Sequence, residues 1–176
     1  MENELKKKAY LVPKRENGDG SKLNIVKDHL DWIKRQLEYA SFSKEYKLRM
    51  EVKKGEIYEI DWGINVNAEF SNRHYGVVLR DSSEYDPLVL VCPLKTNKRG
   101  AHPASDIDLG YVLGLSSEHK TLAVINQKRT IDKMRIFTKN AIADSEALNA
   151  ETPILEDKKV NWILTAYFNF IYGANL

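Results

Sequence analysis

A chain of 176 residues is long enough for one well-buried core with a helical appendage, but it is short for two full domains. Its 43% hydrophobic and 30% charged residues exclude the composition of an intrinsically disordered protein. The formal net charge is only +2, so a surface that binds nucleic acid would have to be a local concentration of basic residues.

The cellular compartment is indicated by cysteine use and by the first residues. Cys92 is the one cysteine of the sequence, which excludes an intramolecular disulfide, and its apolar neighbours predict a small buried side chain. The segment from Met1 to Lys8 lacks the apolar stretch of a signal peptide, and no segment has the length of a membrane span. We therefore expect a cytoplasmic protein without membrane association.

The N-terminal region predicts an arm followed by a helix. Residues 1–21 are basic and then rich in turn formers, which is typical of a mobile arm. Residues 21–40 carry apolar side chains at alternating spacings of three and four, which predicts an amphipathic helix whose stripe packs on its own domain or on a second copy. A coiled coil is disfavoured because the pattern lasts barely two heptads. We assign residues 1–50 to this extension and residues 51–176 to the principal domain. The stripe consists of Leu23, Val26, Leu30, Ile33 and Leu37.

The principal domain has the pattern of a mainly β protein. Residues 57–62, 76–79, 88–92 and 121–125 are short runs of β-forming residues bounded by turn formers. Such strands predict a small barrel or a tightly curled sheet. Pro153 then precedes apolar residues at helical spacing, which predicts a C-terminal helix packed on the barrel. The apolar positions of that helix are Val160, Ile163, Leu164, Tyr167, Phe168 and Ile171.

Several familiar chemistries have no support in the sequence. The four histidines are scattered and lack partners at metal-ligand spacing, so we predict no metal site. The chain also lacks the glycine-rich fingerprints that bind nucleotide phosphates, and we predict no cofactor.

Three segments carry the most informative pattern. The first joins Lys54-Gly-Glu-Ile-Tyr-Glu-Ile-Asp-Trp-Gly63 to Arg73-His-Tyr-Gly-Val-Val-Leu79, and the second is Val91-Cys-Pro-Leu-Lys-Thr96. The third, residues 124–135, runs from a strand into Gln-Lys-Arg-Thr-Ile-Asp-Lys-Met-Arg. In this order the segments resemble the MazF/PemK family, the ribonuclease toxins of bacterial type II toxin-antitoxin pairs. The resemblance covers about residues 52–174, and the third segment is its most specific part.

This resemblance implies a fold, an activity and partners. The fold would be an SH3-like small β-barrel with a C-terminal helix, here preceded by the helical extension, and the protein would be a homodimer. The activity would be metal-independent endoribonuclease cleavage of single-stranded RNA such as mRNA at short sequences. A cognate antitoxin would block the RNA site, and any association with DNA would occur only through that antitoxin.

The chemistry of such a nuclease also follows from the substrate. RNA carries its own nucleophile, the 2′-hydroxyl, so no metal hydroxide is required, and DNA should resist cleavage. The enzyme has to supply a proton acceptor, a proton donor and positive charge around the phosphate. Histidine, arginine, lysine and threonine side chains are sufficient for general acid-base catalysis of this kind.

The family places a catalytic arginine just before the second strand and a catalytic threonine just after the third. Direct matching puts His74 at the first position with Arg73 before it, and Lys95 at the second with Thr96 after it. A histidine with a pKa of about 6.5 can exchange protons at neutral pH, and Arg73 could hold the phosphate. At the second position, alternation along the strand decides whether Lys95 or Thr96 faces the site, and the sequence leaves that choice open, as it does the choice between Arg73 and His74. The competing interpretation is that His74 packs at the barrel rim and Arg73 is solvated.

Further candidates for RNA binding lie in two loops. Asn65, Asn67 and Glu69 lie between the first two strands, where the family meets RNA and antitoxin, although asparagines also simply form turns. Lys98 and Arg99 follow Lys95 and form a basic cluster suited to a phosphate backbone, or a solvated loop. The family marks Gln127, Arg129, Asp132 and Arg135 are expected to be structural.

The principal alternative is a non-catalytic member of the same fold. A regulator or protein-binding module could have lost the nuclease when the arginine and threonine positions changed. A related toxin fold poisons gyrase, so a fold alone does not exclude a protein target.

Overall fold

The computed structural model describes residues 20–41, 50–66, 68–137 and 152–173. The chain divides into two compact units between Leu37 and Glu38. Helix α1 spans Gly20–Ser41, so the helix predicted from the apolar spacing is confirmed. Of its predicted stripe, the side chains from Val26 to Leu37 are exposed in the structure, and what covers them stays a prediction. Of the predicted arm at residues 1–21, residues 1–19 lie outside the described residues, whereas Gly20 and Ser21 already belong to α1.

Among the described residues, the larger unit contains seven strands and a second helix. The four apolar runs become β1 Ile57–Asp61, β2 Arg73–Val78, β3 Leu88–Thr96 and β5 Thr121–Val124. Three shorter strands were not predicted: β4 Asp106–Asp108, β6 Arg129–Asp132 and β7 Ile136–Phe137. Helix α2 spans Asp157–Tyr172, which confirms the C-terminal helix. The mainly β class with a helix at each end is thereby confirmed.

Strand pairing makes the sheet curl into a barrel-like form. One edge of β3 pairs with β2, while its other edge pairs with β6 along residues 88–91 and with β5 along residues 94–96. Residues 129–137 reach β3 through β6 and reach β1 through β7. The path through β1, β2, β3, β6 and β7 therefore returns to β1, and β5 and β4 extend the sheet beyond it.

The core has two apolar clusters, one on each face of this sheet. The cluster that holds Trp62 contains side chains from β1, β2, β3, β6 and β7. The second cluster packs under α2, where Val160 and Ile163 are fully buried. Phe168 and Ile171 on the same helix are about half exposed. Alternating strand residues thus supply both clusters, because successive side chains point to opposite faces.

Cys92 lies in the second cluster and is fully buried, which confirms the sequence prediction. Burial raises the pKa of its thiol to about 12. The thiolate is the reactive form of cysteine, so this side chain acts as a small apolar residue. None of the helices within the described ranges is long and apolar enough to cross a membrane.

Lys133 is a fully buried lysine in the 3-10 turn Lys133–Arg135. Its ammonium Nζ donates to the carbonyl oxygens of Met50 at 2.7 Å, Ser83 at 2.6 Å and Ser82 at 3.4 Å. Burial lowers its pKa, against smaller opposing effects of two carboxylates. Three carbonyls match the three donors of an ammonium, so Lys133 ties the start of the domain to the β2–β3 connection.

Candidate active site

The C-terminal part of β3, the start of β2 and the 109–120 loop border an open cleft of about 480 Å³. The cleft contains three of the residues predicted to be catalytic, His74, Lys95 and Thr96, together with Lys98 from the predicted RNA-binding set. Arg73 does not line it. The complete lining is His74, Tyr75, Leu94, Lys95, Thr96, Lys98, Gly114, Leu115, Ser116 and Thr121.

His74 lies on β2 opposite Ile60 of β1, and its ring packs against Phe70 with a centroid separation of 4.9 Å. The Trp62 indole N–H donates to the His74 carbonyl oxygen at 3.1 Å, which fixes the strand at this point. Partial burial lowers the pKa of His74 below its ordinary 6.5, and the charge of Glu59 opposes this shift only in part. The imidazole is therefore neutral at pH 7 and able to accept a proton.

Gly76 lies two residues after His74 and packs against Trp62, whose indole binds the His74 carbonyl. A Cβ atom at this position would lie 2.6 Å from the Ile60 Cδ1 and 2.9 Å from the Trp62 Cζ2 atoms. Because both contacts are shorter than van der Waals distance, we expect Gly76→Ala to lower the free energy of unfolding by about 1–3 kcal/mol, as overpacking does. Urea unfolding measures this, and an unchanged midpoint would show that the two side chains move aside without cost.

The Arg73 side chain lies on the face of β2 opposite to that of His74, because successive residues along a strand alternate between faces. Its guanidinium binds the Glu59 carboxylate with two nitrogens, at 2.5 Å for Nε to Oε1 and 2.7 Å for NH2 to Oε2. The same guanidinium stacks 3.9 Å from the Phe137 ring centroid. Of the first predicted pair, the structure therefore brings His74 to the cleft and engages Arg73 elsewhere.

Lys95 and Thr96 both line the cleft at the end of β3. The Lys95 ammonium lies 2.7 Å from a carboxylate oxygen of Asp106 on β4, and the Thr96 side chain is exposed. In register, Lys95 lies opposite Leu122 and Thr96 opposite Thr121 on β5. Both members of the second predicted pair therefore line the cleft, together with residues 114–116 of the 109–120 loop.

Lys98 and Arg99 occupy the exposed turn that follows β3. The Lys98 N–H donates to the Thr96 carbonyl at 3.0 Å, and the Asn97 side chain closes the turn by accepting from the Gly100 N–H at 2.9 Å. Lys98 lines the cleft, whereas Arg99 lies beyond it. The predicted basic cluster is thus a solvent-facing turn beside the cleft.

The β1–β2 loop is held by the side chain of Asn65. Its Nδ2 donates to the carbonyls of Trp62 at 3.0 Å and Phe70 at 2.7 Å. Glu69 is exposed and accepts from the Val66 N–H at 3.4 Å. Asn67 lies outside the described residues. The amide of Asn65 thus shapes the loop in the structure.

The family marks after β5 bind mostly backbone groups. Gln127 and Arg129 fasten the β1–β2 loop, with the Arg129 guanidinium donating to the Trp62 carbonyl at 2.6 Å. These contacts support the structural role expected from the sequence. The backbone partners are Phe70 and Ala68 for Gln127, Trp62 for Arg129, Met134 for Asp132 and Asp61 for Arg135.

Sequence reasoning missed several residues at the site, among them Asp106, which contacts Lys95, and Ser116, which lines the cleft. Asp106 lies on a three-residue strand and Ser116 in a loop, and neither belongs to a local sequence pattern that marks it as part of a site. Strand β5 pairs with both β3 and β4, and Asp106 lies two residues along β4 from Asp108, which shares the partner Leu122 with Lys95. In the part of the chain that the structure describes, no group of three or more His, Cys, Asp or Glu side chains could hold a metal ion.

Comparison with known proteins identifies the family. Residues 53–151 match the family described as PemK-like, MazF-like toxin of type II toxin-antitoxin system. No curated protein matches. Similar solved structures include MazF from Deinococcus radiodurans, at 15% identity and a TM-score of 0.48, covering 70% of this chain and 98% of that one. Mycobacterium tuberculosis toxin MazF-mt6 is 15% identical with a TM-score of 0.43, covering 66% of this chain and 95% of that one. Because the family match spans more than half of its residues, the chain belongs to the PemK-like, MazF-like toxin family.

Proposed function

We propose that this protein is a metal-independent endoribonuclease that cleaves single-stranded RNA and is neutralised by a cognate antitoxin. The observation that carries the proposal is the cleft in which His74 meets Lys95, Thr96 and Lys98. A proton acceptor beside two ammonium groups and a hydroxyl is the set of groups that cleavage by the 2′-hydroxyl requires. Membership of the toxin family supports the same activity.

In the proposed reaction, His74 accepts the proton of the 2′-hydroxyl as that oxygen attacks the adjacent phosphorus. The bond from phosphorus to the 5′-oxygen breaks, leaving a 2′,3′-cyclic phosphate and a 5′-hydroxyl that takes its proton from a donor in the cleft. Lys95 and Thr96 donate hydrogen bonds to the phosphate oxygens as negative charge builds up there. The pKa of His74 suits the first step, because its neutral form predominates at pH 7.

The remaining candidate residues would bind the RNA or support the structure around the cleft. Lys98 and Arg99 are exposed beside the cleft and would contact neighbouring phosphates, which positions the strand without reading its sequence. Glu69 and Asn67 remain candidates for base contacts, while Asn65 shapes the loop that carries them. Arg73 would act indirectly, by binding Glu59 of β1 and thereby holding β2 in place. Its loss should therefore lower cleavage less than the loss of His74. We also expect a cytoplasmic homodimer that binds DNA only through its antitoxin.

The test is incubation of the purified protein with a mixed-sequence RNA and with DNA of the same sequence, both in EDTA. We expect the RNA to be cut and the DNA to remain intact, because only RNA carries the attacking hydroxyl. A substrate with one deoxynucleotide at a mapped cleavage site should resist cutting at that site alone. Cleavage that requires added magnesium would contradict the mechanism, and an uncut RNA pool would favour a protein-binding module.

A further inference from the structure

Asp106 is a buried carboxylate in contact with a residue of the cleft. Its side chain is 1% exposed, whereas Lys95, whose ammonium lies 2.7 Å from it, is 37% exposed. The oxygen that meets Lys95 also accepts from the His102 backbone N–H at 2.7 Å. The carboxylate is therefore fixed by its own surroundings and faces a lysine that solvent can still reach.

The charge of this carboxylate is retained despite burial. Burial raises the pKa of Asp106, but hydrogen bonds from Lys95 and the His102 N–H, with the charge of Lys95, outweigh that effect and lower the pKa below its usual range. Two residues along β4, Asp108 meets Lys120 at 3.5 Å with both side chains substantially exposed. An exposed pair of that kind contributes little, so the Asp106 pair is the distinctive one.

The ion pair between Lys95 and Asp106 joins two strands that are not neighbours in the sheet. Strand β4 does not pair with β3, because β5 lies between them. The Lys95 side chain therefore extends across β5 to reach Asp106. A lysine has a flexible four-carbon stem, and holding its ammonium at one point removes freedom that would otherwise be lost when substrate binds.

We propose that Asp106 is a positioning residue that fixes the Lys95 ammonium on the cleft wall, so that Lys95 meets the scissile phosphate in a set orientation. This inference rests on the proposed RNA cleavage. One donor of the ammonium is used by Asp106, which leaves two for phosphate oxygens. Asp106 itself does not touch the RNA.

The test is steady-state cleavage by Asp106→Asn, which keeps an acceptor for the His102 N–H and removes the charge. We expect kcat to fall about 10- to 100-fold, the scale of a misplaced catalytic group. KM should not rise, because losing a negative charge beside the cleft does not weaken attraction for phosphates. Asp108→Asn makes the same charge change two residues away and should leave both constants unchanged.

A double-mutant cycle separates positioning from other effects. In a Lys95→Met background, Asp106→Asn should lower kcat no further, because the residue through which it acts is gone. Additive losses, or a change in KM alone, would overturn the inference while leaving the nuclease intact. A wild-type protein that cuts no RNA would overturn both. Melting temperatures establish folding, and Asp106→Ser replaces the asparagine variant if that variant is unfolded.

Discussion

Alanine in place of His74 should lower RNA cleavage by about 100- to 10,000-fold, the usual contribution of a positioned general base. The folded protein should keep its melting temperature to within a few degrees, because the ring is at the cleft and packs chiefly against Phe70. Single-turnover cleavage at saturating enzyme measures the chemical step. The matched control is His29→Ala on α1, which removes a histidine outside the cleft and should leave the rate unchanged.

The pH dependence provides a second measurement of the same role. Burial lowers the pKa of His74, so the wild-type rate should be level through neutral pH and fall only below the ordinary histidine value of 6.5. In the unfolded chain the residue takes up a proton before the folded one does, so stability also decreases as pH falls through this range. Rates therefore have to be compared where the protein is shown to be folded. An acid limb that persists in His74→Ala would assign the titration to another group.

Lys133→Met is expected to cause the largest loss of stability, about 3 kcal/mol, which is a large part of the 5–15 kcal/mol that holds a typical domain folded. The substitution keeps the approximate length of the side chain but removes the ammonium that binds the carbonyl oxygens of Met50, Ser82 and Ser83, and the Ser82 and Ser83 oxygens keep only the backbone N–H groups of Val52 and Asp86 as donors. Chemical denaturation monitored by tryptophan fluorescence measures the loss.

The control for this prediction is Lys53→Met. Lys53 is exposed and pairs with Glu51 at the surface, so its removal should leave the melting temperature nearly unchanged. Equal melting temperatures for the two variants would mean that the carbonyls find water or other donors once Lys133 is gone. Both substitutions remove one positive charge, so the contrast between the two lysines reports the burial of Lys133 and its bonds to the three carbonyls.

The parts of the fold that sequence predicted are those with local patterns. Local patterns predict the helix from the apolar spacing between Leu23 and Leu37, and the strands from the β-rich runs around Ile57 and Val89. Each of these elements can be predicted because its hydrophobic period lies within the element itself. Strand β4 is three residues long and β7 only two. Such strands are held by register with partners far along the chain, so no local period could predict them.

In the candidate site, too, some features follow from local sequence and others depend on residues distant in the chain. The sequence makes both Arg73 and His74 candidates for the site, whereas in the structure only His74 lines the cleft and the Arg73 guanidinium binds Glu59. At the end of β3 the expected choice between Lys95 and Thr96 does not arise, because both line the cleft. The surroundings of Lys95 and Thr96 are formed by the 109–120 loop and by strand β4, which are more distant in the chain. Local sequence patterns therefore could not predict these surroundings.

The strand circuit determines when during synthesis the protein can fold. Strand β1, near the start of the domain, pairs with β7, and the Ile57 N–H donates to the carbonyl of Pro153 at 2.8 Å. Contacts between such distant residues slow folding, because a long loop must close before they form. The core under α2 also waits for Val160 and Ile163. A growing chain therefore has neither the completed circuit nor the covered core until these residues have been made, and the folded cleft arises only when translation of this domain is nearly finished.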